Sequence, residues 1–582
     1  MTCKVEKDMN SFKILQKNSN KKCVNGINTS ICIMGDTATQ FLSQAVKGYA
    51  YECGVELNTL DIGYNQIDMQ VRDINSEIYK SKSDFILIYL SVEKLYEKFC
   101  TTEIIERNKF ADTMIEYIKE IHSIINSRIE TKIIQFNFIE INDGVFGSFG
   151  NKTDISFSFQ VKKLNFMLNQ YASENKNLYI ADLLSLAVKY GYDTVFNEKN
   201  YYLAKMSLSM EILPYTAKTV VDIICSVLGK IKKCVILDLD NTLWGGIIGD
   251  DGLGGIQIGE LGAGYIFSNF QRYFLELKKR GIILAVCSKN NEETAKEPFE
   301  KHPDMVLKLS DIAVFTANWE DKASNIKYIK ETLNLGYDSF VFIDDNPFER
   351  NLVKSVLPEV TVPDMPEDPA SYLSYIRSLN LFETASYSSE DINRTEQYQA
   401  EIGRKSLEAS YSNIDDYLQS LEMQAEAKSF DEFHYSRIAQ LTQRSNQFNL
   451  RTVRYTESDI EKISKDDNYI TIYFTLKDKF GNHGLISVVI MKKVDNEKLF
   501  IDTWLMSCRV MKRGMEAFIV NKIIDTAKHN NYSIVEGEYI KTSKNSMVAD
   551  IYEMLGFKNT AEGKYIAYTD NFKKNTTFIR EI

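Results

Sequence analysis

Two apolar runs in the middle of this chain, CVILDL (234–239) and FVFIDD (340–345), break off into paired carboxylates. Runs that short and that apolar read as buried strands. Between them lie IILAVCS (282–288) and AVFTAN (313–318), and helical periodicity separates each run from the next. Strands alternating with helices imply a doubly wound parallel α/β sheet. That sheet puts Asp238, Asp240, Asp344 and Asp345 at carboxyl ends of strands, the edge where such folds bind ligands. Period two sets Asp238 and Asp240 on one side of the chain. Acids gathered there repel one another, and burying them without a cation is expensive. A hard divalent metal with oxygen ligands, Mg²⁺ above all, resolves the conflict and brings substrate phosphate with it. Ser288 ends the second strand and Lys322 opens the helix before the fourth, so both reach the same edge.

The same logic holds upstream. ICIMG (31–35), VELNTLD (55–61), DFILIYL (84–90) and KIIQFNF (132–138) read as strands, with crossover helices over 39–52 and 101–125. Downstream the pattern changes to YITIYFTL, LISVVIM and KLFIDTWLM joined by short turns, an antiparallel meander, followed by a helix (512–529), a strand (533–540) and a helix (545–554). All eight prolines fall between Pro214 and Pro369, four of them in LPEVTVPDMPEDP, a stiff connector. The expected layout is a disordered N-terminus (1–27), an α/β domain (28–230), a second α/β domain (231–365), a linker and helical arm (366–424) and an α+β domain (425–582).

The charge of −11 (69 Lys and Arg against 80 Asp and Glu) argues against a nucleic-acid binder. Without a signal-peptide core or an 18-residue apolar span, the expectation is a cytoplasmic protein with no membrane partner. Nine cysteines without a C-x-x-C pair read as reduced thiols, any special one being a nucleophile.

VILDLDNTLWGG, CSKN, the lysine of NWEDKASN, and FIDDNPFERN resemble, in order, the four motifs of the haloacid-dehalogenase (HAD) phosphohydrolases. The resemblance implies that Asp238 is the nucleophile that becomes an aspartyl phosphate and that Asp240 is the general acid and base. It implies that Ser288 and Lys322 hold the phosphoryl oxygens. Asp238, the Asp240 backbone carbonyl and Asp344 would bind Mg²⁺, with Asp345 an outer ligand. The steps from Asp240 to Cys287 (47), Ser288 to Lys322 (34) and Lys322 to Asp344 (22) leave no room for a substantial cap domain.

Taken with LTQRSNQFNL and TWLMSCRVMKRGME, these motifs resemble FkbH-type proteins from about Gly35 to Phe557. That likeness implies dephosphorylation of 1,3-bisphosphoglycerate and transfer of its glyceryl group to the thiol of an acyl carrier protein in polyketide biosynthesis. A stand-alone Mg²⁺-dependent phosphatase is the alternative. An acyl phosphate is activated toward thiolates, whereas a phosphate monoester needs the aspartate machinery, so the chemistry calls for a thiol as well. Cys287 and Cys508 are the two candidates. The 28–230 segment resembles SGNH hydrolases faintly at MGDTATQFL, with Thr37 at the serine position and Lys205 where a histidine would be sought; scaffolding or carrier docking is the expectation there. The last domain resembles the GNAT acyltransferase fold, which implies phosphopantetheine contacts from Arg509, Gly514, Asn545 and Tyr552, with Lys512 departing from the glycine pattern and His483 a candidate base.

Overall fold

The computed structural model describes residues 12–582 apart from 25, 388–397, 399, 401–403, 405–406, 408–410, 412 and 543. The chain divides into two compact units, Lys4–Leu228 and Gly229–Ile582.

In the first unit, β1 (Ile27–Gly35), β2 (Val55–Tyr64), β3 (Phe85–Tyr89), β4 (Lys132–Phe136) and β5 (Leu178–Ala181) form one parallel sheet in the order β2-β1-β3-β4-β5. Residues 1–27, expected to be disordered, include a helix, α1 (Phe12–Asn18), whose Phe12 and Leu15 are buried. It docks on α2 (Gln40–Glu52) at Gly48, where a Cβ would come within 2.0 Å of the Leu15 carbonyl oxygen. The helix expected over 101–125 runs instead as α3 (Phe110–Arg128), after a 3₁₀ turn at Ile104–Lys109. Ile104 and Ile105 continue the apolar pattern but are exposed, so that turn has no core to bury against.

The second unit holds two sheets. β6 (Cys234–Leu237), β7 (Ile283–Ser288), β8 (Ile312–Ala317) and β9 (Phe340–Ile343) are all parallel in the order β8-β7-β6-β9. The topological switch therefore lies between β6 and β9, the place where sheets of this kind bind ligands. Helices α4 (Gly262–Lys279), α5 (Glu292–Lys301) and α6 (Lys322–Leu333) provide the crossovers, and α7 (Pro347–Val356) follows β9. The two sheet faces bury separate clusters, Leu237, Trp244, Phe270 and Phe274 on one side and Ile236, Cys287, Phe340 and Phe342 on the other.

The last sheet has eight strands: β10 (Gln424–Lys428), β11 (Tyr469–Asp478), β12 (Gly481–Lys493), β13 (Lys498–Met506), β14 (Ile534–Glu538), β15 (Lys558–Ala561), β16 (Lys564–Tyr568) and β17 (Arg580–Glu581). β11–β13 are the expected antiparallel meander, and α8 (Met515–His529) makes the crossover from β13 to the parallel β14. β13 and β14 pair only from Lys498–Ile534 to Ile501–Gly537 and then part. The gap is filled by the chain itself. Leu450 donates its N–H to Trp504 O (3.2 Å), Met506 donates to Phe448 O (3.1 Å) and Ile540 donates to Leu450 O (2.8 Å). Arg451 then bridges Asp502 and Glu538. The fold class read from the sequence, two doubly wound parallel sheets followed by an α+β domain, is the one observed. Much of the helical arm expected within 366–424, from 388 to 412, lies outside the described residues. Among the described residues no helix is long and apolar enough to cross a membrane.

Candidate active site

β6 and β9 are hydrogen-bonded neighbours with Leu237 opposite Ile343, and the Asp238 N–H donates to Ile343 O at 3.0 Å. Register alone therefore places Asp238 beside Asp344. One carboxylate oxygen from each of Asp238, Asp344 and Asp345 lies within 4.8 Å of the other two. Lys322, the first residue of α6, enters this group with Nζ 2.9 Å from Asp238 Oδ1 and 2.5 Å from Asp344 Oδ2. The Asp321 N-cap, which accepts from Ser324 N, starts the helix at the position that aims the lysine inward. Ser288 ends β7 on the other side of β6 and is buried.

Three carboxylates face one ammonium. Burial, then the charge of Asp238, pushes the Asp344 carboxyl up to about 7, although Lys322 pulls the other way. Asp345 is raised for the same first two reasons. Burial disfavours the Lys322 charge, yet the two aspartates outweigh it and hold the ammonium protonated. Asp238 Oδ1 is buried, 2.9 Å from the Lys322 ammonium. Surplus negative charge and an all-oxygen donor set fit a hard divalent cation such as Mg²⁺.

Asp240 is turned away from this group. Its Oδ1 accepts from Trp244 Nε1 (2.9 Å) and Ile248 N (3.0 Å), and its Oδ2 accepts from Asn290 Nδ2 (2.8 Å). Of the four acids expected at the metal, the side chains of Asp238, Asp344 and Asp345 converge; Asp240 was expected there only through its backbone carbonyl, and its side chain lies outside the group. Its three donors fix the carboxyl at the rim, as an acid–base group requires. The chain reaches them by a tight reversal in which Asn241 adopts φ 54° and accepts from Gly246 N. Thr242 supports Asp345 by donating to its Oδ1 and accepting from its N–H, and Arg350 donates to the carbonyls of Asp344 and Asp345. Thr242, Trp244, Asn290 and Arg350 were not singled out by the sequence reading. Each stands inside a quoted motif, and polar or aromatic side chains there were the available signal.

A family model described as the FkbH N-terminal domain matches residues 30–225. The N-terminal part of a Bacteroides fragilis protein, containing a phosphatase domain and solved in complex with Mg, is 44% identical. The match covers 65% of this chain and 99% of that one, with a TM-score of 0.62. The chain belongs to the FkbH family. Ribosomal-protein-S18-alanine N-acetyltransferase from Escherichia coli (14% identity, 25% of this chain, 91% of that one, TM-score 0.20) is a far slighter likeness. Spermidine N-acetyltransferase from Vibrio cholerae (12%, 26%, 98%, 0.21) is equally slight. No curated protein matches the chain.

The thiols of this FkbH-family chain are placed very differently. Cys287 is enclosed among Ile236, Ala285 and Phe342, and its thiol donates to the Lys322 backbone carbonyl at 3.8 Å. Burial pushes its thiol well above the usual range. Cys508 opens a 3₁₀ turn at Cys508–Val510, is partly exposed and lines a cavity. Gly514, with φ 79°, caps α8, and Lys512 is also left-handed at φ 63°. Arg509 is buried and donates to Ser507 Oγ.

Asn545 and Tyr552, expected at phosphopantetheine, are enclosed instead. Asn545 Nδ2 donates to Asn449 O and Ile540 O, so its amide secures the inserted segment. The Tyr552 ring lies over Gly537 and stacks on Tyr565 at 5.1 Å. Neither has a surface to offer a ligand. His483 is buried against Asp478, with Arg404 and Arg513 on the same carboxylate, and is held neutral by burial (its ring is pushed down to about 4). In the first unit Thr37 is buried and shares a hydrogen bond with Ser207 Oγ (2.9 Å), which also meets Tyr89 OH (2.8 Å). Lys205 meets this turn through its backbone, accepting from Ala38 N. No histidine stands beside Thr37 in these contacts.

Proposed function

We propose that this protein is a Mg²⁺-dependent phosphohydrolase whose hydrolytic site is Asp238, Asp240, Ser288, Lys322, Asp344 and Asp345. The observation that carries this is the convergence of three carboxylate oxygens opposite one buried lysine. Asp238 attacks phosphorus, the ester P–O bond breaks, and Asp240 gives its proton to the departing alkoxide. Asp240 then takes a proton from the water that cleaves the aspartyl phosphate. Lys322 and Ser288 hold phosphoryl oxygens as charge accumulates on them. Asp238, Asp344 and Asp345 would hold the metal, which when bound neutralises phosphoryl charge. The Bacteroides fragilis relative, whose N-terminal part contains a phosphatase domain complexed with Mg, supports the same assignment.

The finer reading is that the substrate is 1,3-bisphosphoglycerate and that its glyceryl group ends as a thioester on an acyl carrier protein. The family resemblance supports it, together with an uncapped site that a carrier's long arm can enter. Incubation with the bisphosphate, Mg²⁺ and a phosphopantetheinylated carrier, followed by intact mass of both proteins, tests it. Glyceryl on the carrier is the expected outcome. Phosphate release that is indifferent to the carrier, with no acylated carrier, would leave a stand-alone phosphatase.

A further inference from the structure

Lys289 lies between two residues of the hydrolytic edge, Ser288 at the end of β7 and Asn290, which donates to Asp240 Oδ2. Its ammonium meets Glu349 Oε1 at 2.6 Å. Glu349 stands in the first turn of α7, just past Asp344 and Asp345. In the sheet β6 separates β7 from β9, so the pair reaches across the strand that leads into Asp238. The Glu349 side chain is 7% exposed, and its Oε2 accepts no hydrogen bond. A buried carboxylate with one cationic partner holds that partner firmly, because losing it would leave an uncompensated charge. The lysine side chain is by contrast 36% exposed. An ammonium carries three donors, and among the described residues Glu349 alone accepts from this one. Lys289 is thus pinned at its tip and still open to solvent.

Charge says what the opening admits. Asp238, Asp240, Asp344, Asp345 and Glu349 stand against two lysines, and Lys322 is committed to Asp238 and Asp344. Arg350 is buried, donating to the carbonyls of Asp344 and Asp345. Lys289 is left as the cation of this group that a substrate meets from outside. We propose that Lys289, positioned by Glu349, selects phosphate monoesters that carry a second anionic group, a carboxylate or another phosphate, besides the phosphoryl group that is removed. This deepens the hydrolytic reading of Asp238 and rests on it. A compact charge on a flexible stem suits either group.

The test pairs 3-phosphoglycerate with glycerol 3-phosphate, which differ by one carboxylate, and reads the ratio of their kcat/KM values for the full chain with Mg²⁺. A second pair, propanediol bisphosphate and its monophosphate, distinguishes a phosphate from a carboxylate as the further group. Wild type should favour the more anionic member of at least one pair. Lys289→Gln should lower that ratio about tenfold, chiefly through KM. Glu349→Gln should lower it too and add nothing in the Lys289→Gln background, whereas a merely structural Glu349 would depress both substrates alike. Lys296→Gln removes the same charge from α5, at a lysine 34% exposed, and should keep the wild-type ratio. Ratios unmoved by Lys289→Gln in both pairs, or lowered equally by Lys296→Gln, would overturn the proposal while leaving Asp238 its role. Calorimetric binding to the full chain with Mg²⁺ separates the two readings. A wild type that hydrolyses neither member, yet prefers the more anionic one and loses that preference with Lys289→Gln, refutes the hydrolytic role of Asp238 and leaves Lys289 as the selecting residue. A wild type with no preference in either assay overturns the proposal.

Discussion

Replacing Lys322 by methionine should make the stability of the Gly229–Ile582 unit depend on magnesium. Lys322 is 3% exposed, and its ammonium is shared by Asp238 and Asp344. Removing one partner of a buried ion pair costs about 3–5 kcal/mol, because the other charge is left unpaired. Here relief is at hand. Asp344 already titrates near 7 beside the lysine, so without it the carboxyl takes up a proton at neutral pH, and the low end, about 3 kcal/mol, is the expected deficit. The sign follows from a folded value raised above the unfolded one. Lys322 holds the Asp344 value down, so in the variant that value lies above about 7; the penalty is full only above it, fades as pH falls and is gone below 3.8. A cation at a hundred times its dissociation constant returns about 2.7 kcal/mol, nearly the whole deficit. In wild type the same cation competes with the ammonium, so its gain is smaller. Urea unfolding followed by tryptophan fluorescence reports on this unit, since Trp244, Trp319 and Trp504 all lie in it. The variant should unfold earlier than wild type in EDTA and gain more on adding Mg²⁺. Coincident curves in EDTA, or equal gains, would refute the electrostatic account of the site.

Asp238→Asn keeps the shape and removes the nucleophile, so Mg²⁺-dependent phosphate release should fall about a thousandfold or more with an unchanged circular dichroism spectrum. Chelation by EDTA should stop release in wild type, and added Mg²⁺ should restore it. His122 is buried and burial pushes its ring from 6.5 to about 4, so the unfolded chain takes up a proton first. The Lys4–Leu228 unit should thus lose about 3 kcal/mol as pH falls from 6.5 to 4, and no more below. Hydrogen exchange in α3 and β4 should show that loss, and His122→Gln should lack it. Asp478→Asn leaves Arg404 and Arg513 facing a neutral amide, and should destabilise the last sheet by about 3–5 kcal/mol, read as earlier urea unfolding.

What could be read from the sequence was whatever the chain repeats locally. The strand ends at Asp238 and Asp344 were legible because a four-residue apolar run followed by carboxylates has few other meanings in an α/β pattern. Their meeting needed only the parallel register. Asn290 and Trp244 were harder, since their purpose is to hold Asp240, and nothing local says which acid a given amide or indole will find. Asn545 and Tyr552 look like ligand contacts in a loop motif, yet tertiary packing claims both. Phe448–Leu450 carry no strand pattern at all; they become strand-like because β13 and β14 part and leave polar backbone to be satisfied. The helix at Phe12–Asn18 was hidden by its polar surroundings, with two apolar residues one turn apart doing the docking.

That borrowed segment between β13 and β14 has a consequence for recognition. Diverging strands display unsatisfied amides that an incoming extended chain can pair with, the usual route of strand addition. In this protein the vacancy is taken by a neighbour in the same chain and latched by Arg451. A visitor must therefore be recognised there by side-chain charge and shape, and shortening the 445–456 loop is the change that would reopen the groove to backbone pairing.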